Sequence, residues 1–165
     1  MTRRKSTRSE PRRPAIVLGW REWVALPDLG VPLVKAKLDT GARSSSLHVS
    51  SPKTFRREGH EWVRFVAITD LTGDDAPVRA EAPVADERMV RSSAGHEELR
   101  IVIETRLEIA GWQWDIDLTL ADRPDTMSFR MLIGRQGLSG HALIDPSHSY
   151  LAGRPLKRRR RRKGA

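Results

Sequence analysis

The chain has 165 residues, with 30 Lys or Arg against 21 Asp or Glu and a formal charge of +9. This length predicts one domain with a single core. No stretch approaches the roughly 20 consecutive apolar residues of a membrane-spanning helix, so we exclude a transmembrane protein. Cysteine is absent, which excludes disulfide scaffolds, thiol catalysis and cysteine-bound metals and is typical of a reducing cytoplasm. The basic start is followed by only five apolar or small residues, Pro14 to Leu18, too few for the core of a signal peptide.

The positive charge lies at the two ends of the chain. Residues 1–14 sum to +5 and residues 154–165 to +8, which leaves −4 for residues 15–153. Both ends are poor in apolar residues, so we predict two disordered basic tails around one domain of residues 15–153. Such tails could neutralise phosphates on RNA, on another polyanion or on an anionic membrane, and this binding would be unspecific because the tails lack aromatic side chains. The alternative is that they only keep the protein soluble.

Between these ends, apolar and polar residues alternate over short segments. Val34, Ala36 and Leu38 share one side of a predicted strand, and Lys35 and Lys37 share the other. Further strands are predicted at residues 61–69, 99–109, 112–120, 127–133 and 142–144, and one or two more, with mobile connections, within residues 71–95.

Two local signals complete this prediction. Ala110-Gly111 lies between two long alternating runs and indicates a hairpin in which glycine supplies a positive φ. A short helix is predicted to begin near Arg135, after Gly134. The class is therefore mainly β, as a barrel or a sandwich.

Motif searches exclude several enzyme classes. The chain has neither a P-loop for ATP nor a glycine-rich dinucleotide fingerprint. The pairs His60-Glu61 and His96-Glu97 lack the second histidine that a zinc protease helix carries one turn later, since Arg64 and Arg100 stand there. We predict no metal and no cofactor; a zinc site assembled only by the fold stays an alternative.

One segment carries specific chemistry. Residues 33–47 read LVKAKLDTGARSSSL, in which an alternating strand ends in Asp39-Thr40-Gly41-Ala42. This resembles the active-site motif of pepsin-like and retropepsin-like aspartic peptidases. Near the end of the domain, Ile133-Gly134-Arg135, followed by Gln136-Gly137-Leu138, is similar to the retropepsin segment that packs behind the catalytic loop.

The resemblance is closest to a bacterial retropepsin-like group, through residues 37–49, 103–120 and 129–151. It implies a closed β-barrel of the acid-protease fold with one short C-terminal helix. That group is often labelled "ATP-dependent zinc protease" and is associated with a glutamate-ligating ATP-grasp enzyme that modifies a ribosomal protein. The residues support neither the ATP nor the zinc of that label.

The resemblance also implies a mechanism. Two adjacent carboxylates share a proton and together activate a water molecule. The chain contains one such motif, so a homodimer with Asp39 from each subunit is implied. Gly41 would aim its N–H at the carboxylate, Thr40 would bond to the partner loop, and Ala42 would leave space for substrate. The alternative is that Asp39 only caps a turn.

Arg43 follows the motif directly. A fixed positive charge there would attract a peptide or protein substrate with acidic or glutamylated side chains; the alternative is a solvent-exposed arginine. Two other functions stay open: a catalytically silent β-barrel that binds RNA or another polyanion through its tails, and a metallohydrolase using Asp39 with His48. Asp115 and Asp117 are weaker catalytic candidates on a solvated strand face.

Overall fold

The computed structural model describes residues 15–70, 77–91, 95–122 and 128–153. Both predicted basic tails lie outside these ranges. The strands are β1 (Ile16–Gly19), β2 (Arg21–Leu26), β3 (Val31–Asp39), β4 (Ser45–Arg57), β5 (His60–Ile68), β6 (Pro77–Pro83), β7 (Asp86–Arg91), β8 (Glu97–Ile109), β9 (Trp112–Ala121), β10 (Met131–Gly134) and β11 (Ala142–Asp145). A 3₁₀ turn spans Pro27–Leu29, and the described ranges contain one α-helix, α1 (Arg135–Leu138).

Six strands form a closed ring in the order β10, β3, β2, β8, β9 and β4. The ring closes because β10 pairs in parallel with β3 on one side and antiparallel with β4 on the other. Strands β5 and β6 continue the sheet beyond β4, β7 pairs with β8, and β1 and β11 form a separate parallel pair. The prediction of a mainly β, barrel-like fold with one short helix is confirmed.

The core is one cluster of buried side chains from the ring strands and from β1, β5 and β6, and it is built by two-residue periodicity. On β3, Val34, Ala36 and Leu38 are buried, and Lys35 and Lys37 on the other side are half-buried. Each fully buried aliphatic or aromatic side chain contributes roughly 1.5–3 kcal/mol. The largest such side chains are Phe65, Leu18, Leu26, Leu47, Ile103, Leu107, Ile109, Leu118, Met131 and Ile133.

The predicted hairpin joins β8 to β9. Ile109 pairs with Trp112, and the two residues between them have φ of 53° at Ala110 and 78° at Gly111. Such a two-residue turn matches the right-handed twist of the strands. Alanine therefore adopts the left-handed conformation here alongside the glycine.

The structure corrects two strand predictions. The strand expected at residues 127–133 covers only Met131–Gly134. Before it, Phe129 packs edge-on against Trp20 with ring centres 5.8 Å apart, and the Arg130 carbonyl accepts a hydrogen bond of 2.7 Å from the His48 N–H, so residues 129 and 130 are held outside a strand.

Strand β4 was not predicted at all. Residues 71–95 do contain two strands, β6 and β7, and Met127 lies outside the described residues.

A buried carboxylate near the beginning of the described chain forms hydrogen bonds with backbone groups near its end. Glu22 on β2 has 0% of its surface exposed. Its carboxylate accepts hydrogen bonds from the backbone N–H groups of Gly19 and Leu151, both at 2.8 Å, and of Ala152 at 3.1 Å. Three donors replace the water that a buried carboxylate needs.

None of the helices in the described ranges has the length and apolar character to cross a membrane.

Candidate active site

Asp39 is the last residue of β3 and lies beside Gly134, its register partner at the end of β10. The two segments singled out in the sequence therefore meet in space, although they are far apart in the chain. Asp39 is half-buried, while Thr40 and Gly41 of the following loop are exposed.

The backbone of the loop fixes one oxygen of the Asp39 carboxylate. The N–H groups of Gly41 and Ala42 donate to Oδ1 at 3.0 and 3.3 Å. Within the described part of the chain no group donates to Oδ2. That oxygen is available to a water molecule, a substrate or a second subunit.

A close approach to Asp39 disfavours a side chain at Gly41. Its φ lies outside the left-handed region, and a Cβ at this position would lie 3.2 Å from Asp39 Oδ1. Any larger residue would therefore press on the oxygen that its own N–H binds.

The first residues of α1 donate hydrogen bonds to the carbonyl groups of the loop after Asp39. The backbone N–H of Arg135 donates to the Ala42 carbonyl at 2.7 Å, and that of Gln136 donates to the Arg43 carbonyl at 3.1 Å. The Arg135 guanidinium donates to the Thr40 carbonyl at 3.0 Å. Ile133, just before Gly134, is fully buried and anchors this segment in the core. The loop is thus held by backbone and side-chain bonds to one segment.

Sequence reasoning missed Ser45. Its buried hydroxyl accepts a hydrogen bond of 3.1 Å from the backbone N–H of Gly134, which joins the beginning of β4 to the end of β10. Ser45 lies in a run of three serines, Ser44 to Ser46, and no pattern distinguishes it from its neighbours.

A groove of about 810 Å³ begins beside the loop. Its walls are the segment Arg43–Ser45, strand β7, the middle of β9, and α1. Its size is that of a site for a peptide segment or a drug-sized ligand. Arg43 is exposed at its edge.

Arginines and carboxylates both line this groove. Arg88 on β7 donates to Asp86 at 3.0 Å and to Asp117 on β9 at 3.2 Å. The hydrogen bond to Asp86 is the main cause of a raised pKa for Arg88, and it lowers the pKa of Asp86 in return. Arg91 also lines the groove and lies 3.6 Å from Glu97, which does not line it. Arg43 makes no ion pair in the described ranges.

Two further aspartates, Asp115 and Asp145, have structural partners. Asp115 is exposed and lies 3.4 Å from Arg106. Asp145 ends β11 in a turn, where its Oδ1 accepts hydrogen bonds from the hydroxyl and backbone N–H of Ser147. The Ser147 hydroxyl is the main cause of a lowered pKa for Asp145, and His148 acts in the same direction.

His48 lies buried on β4 in a second cavity, which Asp39 does not line. Across the residues that the structure describes, no three or more His, Asp or Glu side chains are grouped to hold a metal ion.

An apolar surface lies on the pair of strands β1 and β11. Val17 on β1 and Leu143 on β11 are register partners with 55% and 61% of their surfaces exposed. Trp20 directly follows β1. Its carbonyl accepts a hydrogen bond of 2.9 Å from the N–H of Leu38, the residue before Asp39.

Comparison with known proteins agrees with this arrangement. A family model described as "Retropepsin-like aspartic endopeptidase RimB" matches residues 17–155. A curated protein of Shewanella pealeana named "Probable alpha-L-glutamate ligase" is 42% identical over 137 residues, which are 83% of this chain and 30% of that protein. A protein of the same name from Desulfotalea psychrophila is 42% identical over 131 residues, 79% of this chain and 28% of its own length. The chain thus spans less than a third of the length of these relatives.

A solved structure shares the fold. It is protein Lpg0085 of Legionella pneumophila, described as of unknown function, with a TM-score of 0.70 at 22% identity, covering 83% of this chain and 98% of that one. At this identity the likeness concerns the fold alone. The family match spans most of the chain, including both halves of the Asp39 site. The chain therefore belongs to the RimB-like family of retropepsin-like aspartic endopeptidases.

Proposed function

We propose that this protein is a homodimeric aspartic peptidase in which Asp39 and the partner subunit's Asp39 activate one water molecule to hydrolyse an amide bond. The observation that carries the proposal is the Asp39 carboxylate itself. Two backbone N–H groups fix one of its oxygens, and no group of the described chain donates to the other. A half-buried acid at the start of a hydrogen-bonded loop, in a chain with a single motif, supplies half of a catalytic pair.

The chemistry follows from placing two such carboxylates together. Two negative charges about 3 Å apart cannot both persist, so the pair holds one proton and titrates as a unit. The ionised carboxylate takes a proton from water as the water oxygen attacks the carbonyl carbon, and the protonated carboxyl donates its proton to the carbonyl oxygen. Collapse of the resulting tetrahedral species breaks the C–N bond, and the leaving amine takes up a proton.

Symmetry supplies the second acid. A two-fold axis between two copies of the loop would bring identical residues together without further adjustment. The exposed Thr40 and Gly41 leave the loop accessible to a second copy, and the exposed Val17 and Leu143 supply apolar area on the pair of strands β1 and β11. Obligate subunit contacts bury such area.

The substrate we propose is a peptide with acidic or glutamylated side chains. Arg43 lies at the edge of the groove without an ion-pair partner in the described ranges, and an uncompensated guanidinium attracts carboxylates. The curated relatives, named as glutamate ligases, contain a region similar to this chain, which connects the fold to glutamyl chemistry. The absence of cysteine fits action in the cytoplasm.

Replacement of the acid tests the mechanism. Asp39→Asn should lower the cleavage rate of a glutamate-rich peptide by roughly a thousandfold or more, measured by mass spectrometry, while the circular dichroism spectrum and sedimentation coefficient stay unchanged. Asp28→Asn is the matched control, because Asp28 is an exposed aspartate on the 3₁₀ turn. Full turnover by Asp39→Asn would show that Asp39 is not the catalytic acid.

A second substitution tests the substrate class. Arg43→Ala should lower kcat/KM on an acidic peptide by roughly tenfold and leave a neutral peptide of equal length unaffected, because only the acidic peptide loses a charge contact. The control is Arg79→Ala, an exposed arginine on β6. Equal losses of kcat/KM on both peptides would show that Arg43 does not select acidic substrates. They would not affect the proposal that Asp39 is the catalytic acid.

A further inference from the structure

A small second cavity lies outside the groove. It has a volume of about 80 Å³ and is lined by Ser46 and His48 of β4, Arg100 of β8, Leu132 of β10, and Phe129 and Arg130 before β10. Strand pairing explains why these residues meet. Ser46 is the register partner of Leu132, and the His48 N–H binds the Arg130 carbonyl at 2.7 Å.

Among the residues that the structure describes, none forms a hydrogen bond with the Nδ1 atom of the His48 imidazole. Only 9% of the residue surface is exposed, and the Nδ1 atom is buried. Leaving a buried polar atom unpaired costs about 1–3 kcal/mol, so native proteins supply such an atom with a partner. The environment of His48 therefore indicates a bound species in this cavity.

The charges of the lining decide what that species is. Arg100 has 6% of its side chain exposed, and its contacts to Glu98, at 3.4 Å, are at the long limit for hydrogen bonds. Arg130 lies 3.6 Å from Asp70. Both guanidinium groups line the cavity, and none of the described residues that line it is acidic. Two arginines, a histidine and a serine are the donor set that proteins use for oxyanions.

The volume agrees with a small ligand. A water molecule takes about 30 Å³ of liquid volume, so the cavity holds two or three waters or one tetrahedral oxyanion. The apolar walls, Phe129 and Leu132, lower the local dielectric and strengthen attraction between guanidinium groups and an anion. We propose that this cavity binds a small tetrahedral oxyanion, of the inorganic phosphate or sulfate type, through Ser46, His48, Arg100 and Arg130.

Such an anion would connect the elements that support the Asp39 loop. Arg130 directly precedes β10, whose last residue, Gly134, lies beside Asp39, and Ser46 and His48 belong to the strand that leaves the loop. Binding should therefore stabilise the fold rather than take part in hydrolysis, and it does not depend on the proposed peptidase activity.

The first experiment titrates the full unmutated chain with sodium phosphate at constant ionic strength. Phosphate should shift the His48 imidazole resonance saturably in an NMR spectrum and raise the melting temperature by several degrees, because the ligand binds only the folded state. Sodium chloride at the same ionic strength should do neither. No saturable change at His48, or an equal response to chloride, would overturn the proposal and leave ordered water in the cavity. A response to acetate but not to phosphate or sulfate would also overturn it, because it would identify a carboxylate site.

Variants separate this cavity from the basic tails, which also attract phosphate. Arg100→Gln and Ser46→Ala should each weaken phosphate affinity about tenfold or more, and Arg79→Gln, outside the cavity, should not change it. Ser46→Ala removes only a hydroxyl group. If Arg100→Gln does not fold, Ser46→Ala alone tests the cavity. Undiminished affinity in folded Ser46→Ala and Arg100→Gln proteins would assign the binding to the tails and contradict the cavity site.

Discussion

Gly134 is the residue at which the two halves of the candidate active site approach most closely. A Cβ on this residue would lie 2.6 Å from the carbonyl carbon of Ser44 and 2.9 Å from that of Arg43. Both contacts are with backbone, which cannot rotate away as a side chain can. The glycine is therefore a packing requirement of the loop that carries Asp39.

This contact gives a prediction for stability. Gly134→Ala should lower the free energy of unfolding by about 2–3 kcal/mol in urea denaturation, because overpacking displaces the loop backbone, and it should lower activity with it. Gly140→Ala is the control: Gly140 has open space but a φ of 80°, so alanine there should cost only about 1 kcal/mol. A Gly134→Ala protein that loses no more stability than Gly140→Ala would contradict the crowding account, because the φ of −84° at Gly134 is one that alanine adopts freely.

Individual site residues differed in how far the sequence revealed them. Asp39 and Gly134 stand in short patterns that can be read directly, and the structure brings them together. Ser45 could not be found, because its role is one hydrogen bond to Gly134, a residue 89 positions away. The reason for Gly41 also needed coordinates, since a close approach to Asp39 Oδ1 leaves no trace in the sequence.

Among the elements, β3 and β4 show what periodicity can and cannot predict. β3 keeps one face in the core along its length, so its apolar residues alternate regularly. β4 pairs first with β10 and β9 and then with β5, and its register shifts between Ser50 and Lys53. Its two halves therefore belong to different surroundings, and no single alternation runs through its 13 residues.

Charged contacts between the outer strands give a prediction for pH dependence. Glu81 on β6 accepts hydrogen bonds from Arg57 on β4 at 2.7 Å and from Arg64 on β5 at 2.9 Å. The bond from Arg57, and then that from Arg64, lowers the pKa of Glu81. A lowered pKa in the folded state means stabilisation that is present above the ordinary glutamate value and is lost as the pH falls below it.

Glu81→Gln should accordingly melt at a slightly lower temperature than the wild type at neutral pH, and the difference should shrink as the pH falls below the ordinary glutamate pKa. The difference is small because these groups are solvent-accessible. Glu61→Gln, an exposed glutamate on the neighbouring β5, is the control and should show no pH-dependent difference. A difference for Glu81→Gln that grows on acidification would have the wrong sign for this account.

At the scale of the whole molecule, the sequence predicted the β class from alternation, and the resemblance implied a closed barrel. Alternation alone could not show the closure, because it depends on β10. That strand has four residues and pairs on both sides, with β3 and with β4. A four-residue segment is too short for its pattern to show which strands flank it.

The proposed dimer belongs to the same scale. Leu143→Asp should shift a dimer towards monomer in sedimentation equilibrium and lower peptidase activity in proportion, because a charge would enter apolar contact area and each monomer has a single Asp39. Trp112→Asp is the control, as Trp112 is also exposed, at 47%, but lies at the β8–β9 hairpin. A Leu143→Asp protein with unchanged self-association would place the subunit contact elsewhere.

The buried carboxylate of Glu22 has a consequence for biosynthesis. Two of its three donors, Leu151 and Ala152, are made about 130 residues after it. A nascent polypeptide on the ribosome therefore carries a negative side chain destined for the interior, with most of its partners still untranslated. Leu151 and Ala152 must be synthesised before the Glu22 carboxylate can be buried with its hydrogen-bond donors. The barrel therefore reaches its native state only after almost all of its strands have been synthesised.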